Sequence, residues 1–136
     1  MLEQIKAGQL LIVSRRRRNG LILCKRFYAD FAGPGAAVGG IFDRDCEAIV
    51  PVGNLQLAPP TSVQEREEAY RIRRQWTILA RQLTDSSSPE DRARQLLSQF
   101  ENYFDPDIVA QVPDEALGLI VGIFPETIAE VRKQRL

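Results

Sequence analysis

Histidine is absent from this 136-residue chain, which removes the commonest general base and the commonest metal ligand. Cysteine is scarce, with Cys24 and Cys46 the only two. Without histidine, two thiols cannot close a four-ligand zinc site unless carboxylates or a second chain contribute. A disulfide would need an oxidising compartment, so the pair reads as small, buried, apolar side chains. Long apolar runs are missing too. The run Leu117 to Phe124 is eight residues including its glycines, against the roughly twenty of a membrane span. The opening Met1-Leu2-Glu3-Gln4-Ile5-Lys6 lacks the basic-then-apolar-then-small order of a signal peptide. The expectation is therefore a cytoplasmic protein with no membrane partner. Ser14, Ser62 and Ser98 have no histidine to activate them, and spacing singles out no carboxylate pair. No catalytic residue, cofactor or metal site is assigned, no small-molecule substrate is indicated, and a non-enzyme is expected.

Hydrophobic residues make up 44% of the chain, enough for a real core. Net charge is zero, but the charge is unevenly placed: residues 1–60 carry net +3, residues 61–83 net +2 and residues 84–136 net −5. Breaker clusters fall near the same borders, at Ala58-Pro59-Pro60-Thr61-Ser62 and at Thr84-Asp85-Ser86-Ser87-Ser88-Pro89. These divide the chain into a β-rich segment (1–60), a connecting helix (61–84) and a helical subdomain (85–136). The fold class expected is α+β.

In the first segment, 9–13 and 21–24 are short apolar runs joined through Arg18-Asn19-Gly20-Leu21. Asn-Gly between such runs is the strongest short-range hairpin signal. It predicts a two-residue turn with Arg18 opposite Leu21 and Arg15 opposite Cys24. Further strands are predicted over 37–42 and 47–52. The glycine-rich stretch Ala32–Gly40 lacks the Lys-Ser/Thr of a phosphate-binding loop and is expected to be a flexible connection. Asp43, Asp45 and Glu47 alternate around Arg44 without calcium-loop spacing, as expected of a solvated turn. Four or five short strands with glycine-rich turns suggest a rolled sheet that resembles SH3-like small barrels.

In the second segment, Thr61 or Ser62 can cap a helix, with Glu65 three residues beyond Ser62 as a capping-box partner. Ala69, Ile72, Trp76, Leu79 and Leu83 then recur at spacings of three and four. That seam is too short for an autonomous coiled coil, so it is expected to pack on the rest of the chain, with Ile72, Trp76, Leu79 and Leu83 open to dimerisation. In the third segment Ser88-Pro89-Glu90-Asp91 starts a helix. Its buried stripe is Ala93, Leu96, Leu97, Phe100, Tyr103 and Phe104. Proline starts mark three shorter helices beyond it.

Residues 114–133, within the segment 113–136, resemble the helix-turn-helix unit of Crp-type bacterial regulators. Gly118 stands where two helices would cross, Gly122 where the turn needs positive φ, and Leu117, Val121, Ile123, Ile128 and Val131 where apolar anchors belong. The resemblance implies a second helix whose outward positions are Phe124, Pro125, Glu126, Ala129, Glu130 and Lys133. A reader helix carries Arg, Gln or Asn there. This one carries glutamates, and Arg132, Lys133 and Arg135 in its last turn suit dipole compensation. A helical interaction surface of Phe124, Glu126, Glu130, Arg132 and Lys133 is the expectation.

Arg15, Arg16, Arg17 and Arg18 lead into the predicted hairpin, and Lys25 and Arg26 follow on its partner strand. Six cations on one hairpin would hold phosphate, RNA or an acidic protein surface, with Phe27 and Tyr28 able to stack a base. The plainer alternatives are a charged edge that resists aggregation and docking on the chain's own acidic block. The function expected is a non-catalytic adaptor or regulator whose partner is a protein. A small nucleic-acid-binding regulator and an accessory subunit of a larger complex are the alternatives.

Overall fold

The computed structural model describes residues 1–85 and 88–135. Part of the second breaker cluster, Ser86 and Ser87, lies outside the described residues. Six strands form two antiparallel sheets of three: β1 (Leu10–Val13), β2 (Asn19–Cys24), β3 (Ala29–Ala32), β4 (Ala37–Gly39), β5 (Ala48–Gly53) and β6 (Leu57–Ala58). The sheet orders are β4-β1-β6 and β3-β2-β5. The architecture is mixed α+β, and among the described residues both sheets are open. No helix of the described residues is long and apolar enough to cross a membrane.

The expected Asn19-Gly20 turn does not form. Both residues begin β2, with Asn19 opposite Gly53 and Gly20 opposite Val52, and neither has positive φ. β1 pairs instead with β4 and β6, in the other sheet. The cause is packing. Asn19 is buried, its Nδ2 donates to the carbonyls of Ser14 (3.0 Å) and Arg17 (2.8 Å), and its Oδ1 accepts from the Gln56 amide (3.1 Å). Gly20 has no room for a side chain, because a Cβ there would lie 2.5 Å from the Phe31 ring. Asn19 thus closes a loop over residues 14–18 that links the two sheets. The hairpin that does form joins β2 to β3 through Lys25–Tyr28, closed by the Lys25 amide donating to the Tyr28 carbonyl at 2.8 Å.

β2 is buried along its whole length, which explains its unbroken apolar run. Leu21 and Leu23 face one core with Ile5, Leu11, Val13 and Val38; Ile22 and Cys24 face a second, with Phe31, Val52 and the helices. Those helices are α1 (Leu2–Lys6), α2 (Val63–Thr84), α3 (Pro89–Tyr103), α4 (Pro106–Ala110), α5 (Asp114–Val121) and α6 (Pro125–Gln134). The Ser62 hydroxyl accepts from the Glu65 amide (3.0 Å) and that of Ser88 from the Asp91 amide (3.3 Å), so both long helices start at the caps their sequences announce. Leu96, Leu97 and Phe100 of α3 are buried as the stripe requires. Between α5 and α6, Gly122 adopts φ +69, and a Cβ on Gly118 would lie 2.7 Å from the Ile123 carbonyl oxygen.

The stretch 32–40 is buried rather than looping free. Ala36, Ala37 and Val38 have almost no exposure, and β4 ends at Gly39, short of the predicted 37–42. The Asp43 turn is likewise not solvated. Asp43 is fully buried and its Oδ2 accepts from the Gly39 amide (2.8 Å) and from Arg73 Nη1 (2.8 Å), while its Oδ1 accepts from Arg73 Nη2 (2.9 Å). Arg73, on α2, also donates to the Ala37 carbonyl (3.0 Å) and to Asp30 Oδ2 (3.1 Å). The Lys25 ammonium lies 3.3 Å from Asp43, and donates to Asp45 and to the Phe42 carbonyl at 2.8 Å each.

Burial pushes the Asp43 carboxyl up, but the Arg73 guanidinium, the Gly39 amide and Lys25 together outweigh it and hold it below its ordinary value. The unfolded chain therefore binds the extra proton. The stability this contributes is complete above the ordinary aspartate value near 3.8 and is lost as pH falls through the depressed folded one. Asp43→Ala would leave buried Arg73 with Asp30 alone and buried Lys25 with Asp45 alone, at a cost of about 3–5 kcal/mol. Urea unfolding at neutral pH should show that loss. The variant's stability should also fall less steeply in acid than that of the parent.

Candidate functional site: an apolar groove and the arginine loop at its mouth

The apolar seam of α2 changes partner along its length. Ile72 and Trp76 pack against the sheet core, and Trp76, Leu79 and Leu83 line a groove shared with α3. Leu79 keeps 52% of its surface exposed. Opposite, Leu96, Phe100, Tyr103 and Phe104 present the α3 stripe, and Phe31 and Ile120 form the floor. The two helices leave an open groove of about 340 Å³, with Gln82 and Gln99 as its polar lining. Its aromatic floor is tightly arranged. Phe31 meets Trp76 and Phe100 edge-on, at centroid distances of 5.4 and 5.1 Å, and Trp76 meets Tyr103 at 6.1 Å. Trp76 is seated by Gly33, where a Cβ would lie 2.3 Å from its Cζ2.

The 14–18 loop contacts α2 ahead of the groove and the end of α3 at its rim. Arg15 lies 3.6 Å from Glu68 of α2, an exposed contact that contributes little by itself. Arg18 Nη1 donates to the Tyr103 carbonyl at 3.4 Å, and its guanidinium stands 5.7 Å from the centre of the Tyr103 ring. Burial pushes the Tyr103 phenol up, with Arg18 partly opposing it. Arg16 and Arg17, between these anchors, are exposed and take part in no ion pair among the described residues. Apolar side chains fit the groove, and carboxylates or phosphates fit the loop beside it.

Other expected site residues are dispersed. Lys25 is buried in the Asp43 cluster rather than exposed. With Arg26 it sits at the far end of β2, roughly 20 Å from Arg18 for a strand of six residues. The six cations thus form no single cluster, because the chain between them is a strand interior and not a turn. Arg132 turns inward: it donates to the carbonyls of Val112 (2.8 Å) and Val109 (3.1 Å) and pairs with Asp114 at 3.2 Å. It clamps α4, α5 and α6 and leaves the outward surface to Phe124, Glu126, Glu130 and Lys133, all exposed.

Cys24 and Cys46 are buried free thiols, both pushed up by burial. Among the described residues no group of three or more His, Cys, Asp or Glu is placed to hold a metal ion. The groove itself had no sequence signal as a groove: each of its stripes reads equally well as core. No protein-family model, no curated protein and no solved structure matches the chain.

Gly33→Ala would drive a methyl into the indole of Trp76, the chain's only tryptophan. The expected result is a red-shifted emission as the ring is displaced toward water, with a loss of about 1–3 kcal/mol in chemical unfolding. Unchanged emission and stability would mean that Trp76 is not seated on this glycine.

Proposed function

We propose that this chain is a non-catalytic binding protein, an adaptor or regulator, which docks a segment of a protein partner in the α2–α3 groove. The observation that carries the reading is the Arg18–Tyr103 contact, which ties a cationic loop to the rim of an apolar groove. A partner matched to both is an amphipathic helix whose apolar side chains, at i, i+4 and i+7, enter the groove while flanking carboxylates meet Arg16 and Arg17. The same reading takes residues 1–60 as a rolled, SH3-like scaffold. It takes residues 113–136 as a helix-turn-helix-like pair used for packing. The inward clamp of Arg132 and the outward Glu126 and Glu130 favour a protein partner over groove reading of DNA by α6.

Trp76 lies in the groove and reports on it directly. Titration with a synthetic helical peptide bearing leucines at those spacings and glutamates beside them should shift its emission saturably. The same peptide with lysines for glutamates should not. Arg16→Ser/Arg17→Ser should weaken binding about five- to tenfold. An emission that neither peptide alters at saturating concentration sinks the proposal. Concentration-dependent self-association without peptide binding would assign the groove to a second copy of the chain.

A further inference from the structure

A different surface, at the far end of β2 from the arginine loop, goes beyond that reading. Two loops meet there, Lys25–Tyr28 and residues 40–47, joined where the Lys25 ammonium donates to the Phe42 carbonyl at 2.8 Å. They hold up large apolar side chains that globular surfaces rarely expose together: Phe27 is 80% exposed, Ile41 72%, Phe42 59% and Tyr28 48%. Beneath them lies the buried Asp43–Arg73–Lys25 cluster, which fixes both loop backbones. The loops that carry the rings are therefore anchored before anything binds, which lowers the ordering cost of binding.

The surroundings are cationic. Phe42 meets Tyr70 of α2 edge-on at 5.6 Å. Arg66 and Arg74 lie one helical turn to either side of Tyr70, on its face. Arg26 stands 5.1 Å from the centre of the Phe27 ring. These three arginines are exposed, and none takes part in an ion pair among the described residues. Of the carboxylates nearby, Asp43 is buried against Arg73 and Asp45 is held by Lys25, which leaves Glu47 and Glu67 facing solvent.

We infer that this face binds single-stranded nucleic acid, with bases stacked on Phe27, Tyr28 and Phe42 and phosphates met by Arg26, Arg66 and Arg74. Aromatic faces beside a line of arginines are what sequence-independent strand binding requires. Bases in a duplex are already stacked and cannot reach such rings. A bilayer would be served better by aliphatic side chains, of which the patch has only Ile41.

The test is fluorescence polarisation with labelled twelve-nucleotide oligo-uridine, with a duplex RNA of the same length, and at about 50 and 200 mM salt. Binding of the single strand and not the duplex is expected. Its log–log salt slope should be near −2, about −0.7 for each of three phosphates, an affinity loss of roughly twentyfold over that range. Tyr28→Ala/Phe42→Ala should weaken binding by tenfold or more, and Phe42→Tyr, which keeps a ring, should restore most of what Phe42→Ala loses. Phe27→Ala, at the most exposed position, gives the same reading should the double variant fold poorly. Arg66→Ser/Arg74→Ser should flatten the slope by about 1.4. Arg16→Ser/Arg17→Ser, at the groove mouth, should leave it unchanged, so the two proposals fail separately. No binding at low salt, equal binding of duplex, or indifference to loss of the rings overturns the inference. So does ring-dependent binding to phosphatidylserine vesicles without binding to the oligonucleotide, which would assign the face to a membrane surface.

Discussion

A fully buried carboxylate is costly unless every oxygen is met, and Asp43 is met from three directions. The Gly39 amide belongs to β4, Arg73 to α2, and Lys25 to the β2–β3 turn. Asp30 of β3 shares the same guanidinium. One side chain therefore sets where the long helix lies on the sheets and where two loops end. A hydrophobic contact would tolerate sliding; a buried charge with fixed donors does not. The position of α2 in turn sets Trp76 over Phe31 and Gly33, beside the groove that α2 shares with α3.

The groove and the aromatic face are products of the same helix used twice. Toward its N-terminal half, α2 offers Tyr70 to the exposed loops, and toward its C-terminal half Trp76, Leu79 and Leu83 to α3. The Arg15–Arg18 loop and the Lys25–Tyr28 turn cap opposite ends of β2. The groove and the aromatic face are thus held by one strand and one helix.

What could be read from the sequence was local. The caps at Ser62 and Ser88 and the α3 stripe are set by neighbours within one turn, so spacing alone finds them. Gly118 and Gly122 were legible for the same reason, since a close crossing and a left-handed turn are local demands. Asn19-Gly20 misled because its turn preference is local while its role is not. Asn19 satisfies carbonyls across a loop, and Gly20 makes way for a ring eleven residues on. Lys25 and Asp43 looked like surface charges because burial depends on partners far away in the chain: Arg73 lies thirty residues from Asp43. The glycines of 32–40 looked like flexibility and are close contacts, Gly33 against Trp76 and Gly40 against Tyr70. Of the candidate site, the arginine loop was visible as composition and the Trp76, Leu79 and Leu83 stripe as spacing, but not that they lie beside each other.

β2 is buried on both sides, and its two faces belong to different cores. Leu21 and Leu23 are covered mainly by residues that precede position 60, with Ile72 and Trp76 packed on their core, but Ile22, Phe31 and Val52 are covered by α3 and α5, which follow it. The three segments that composition suggests are therefore not separable pieces. A chain halted near Pro60 would present Ile22, Phe31 and Val52 to water as an adhesive sheet face. During synthesis that face stays uncovered until α3 and α5 have left the ribosome, an interval in which exposed apolar surface favours aggregation.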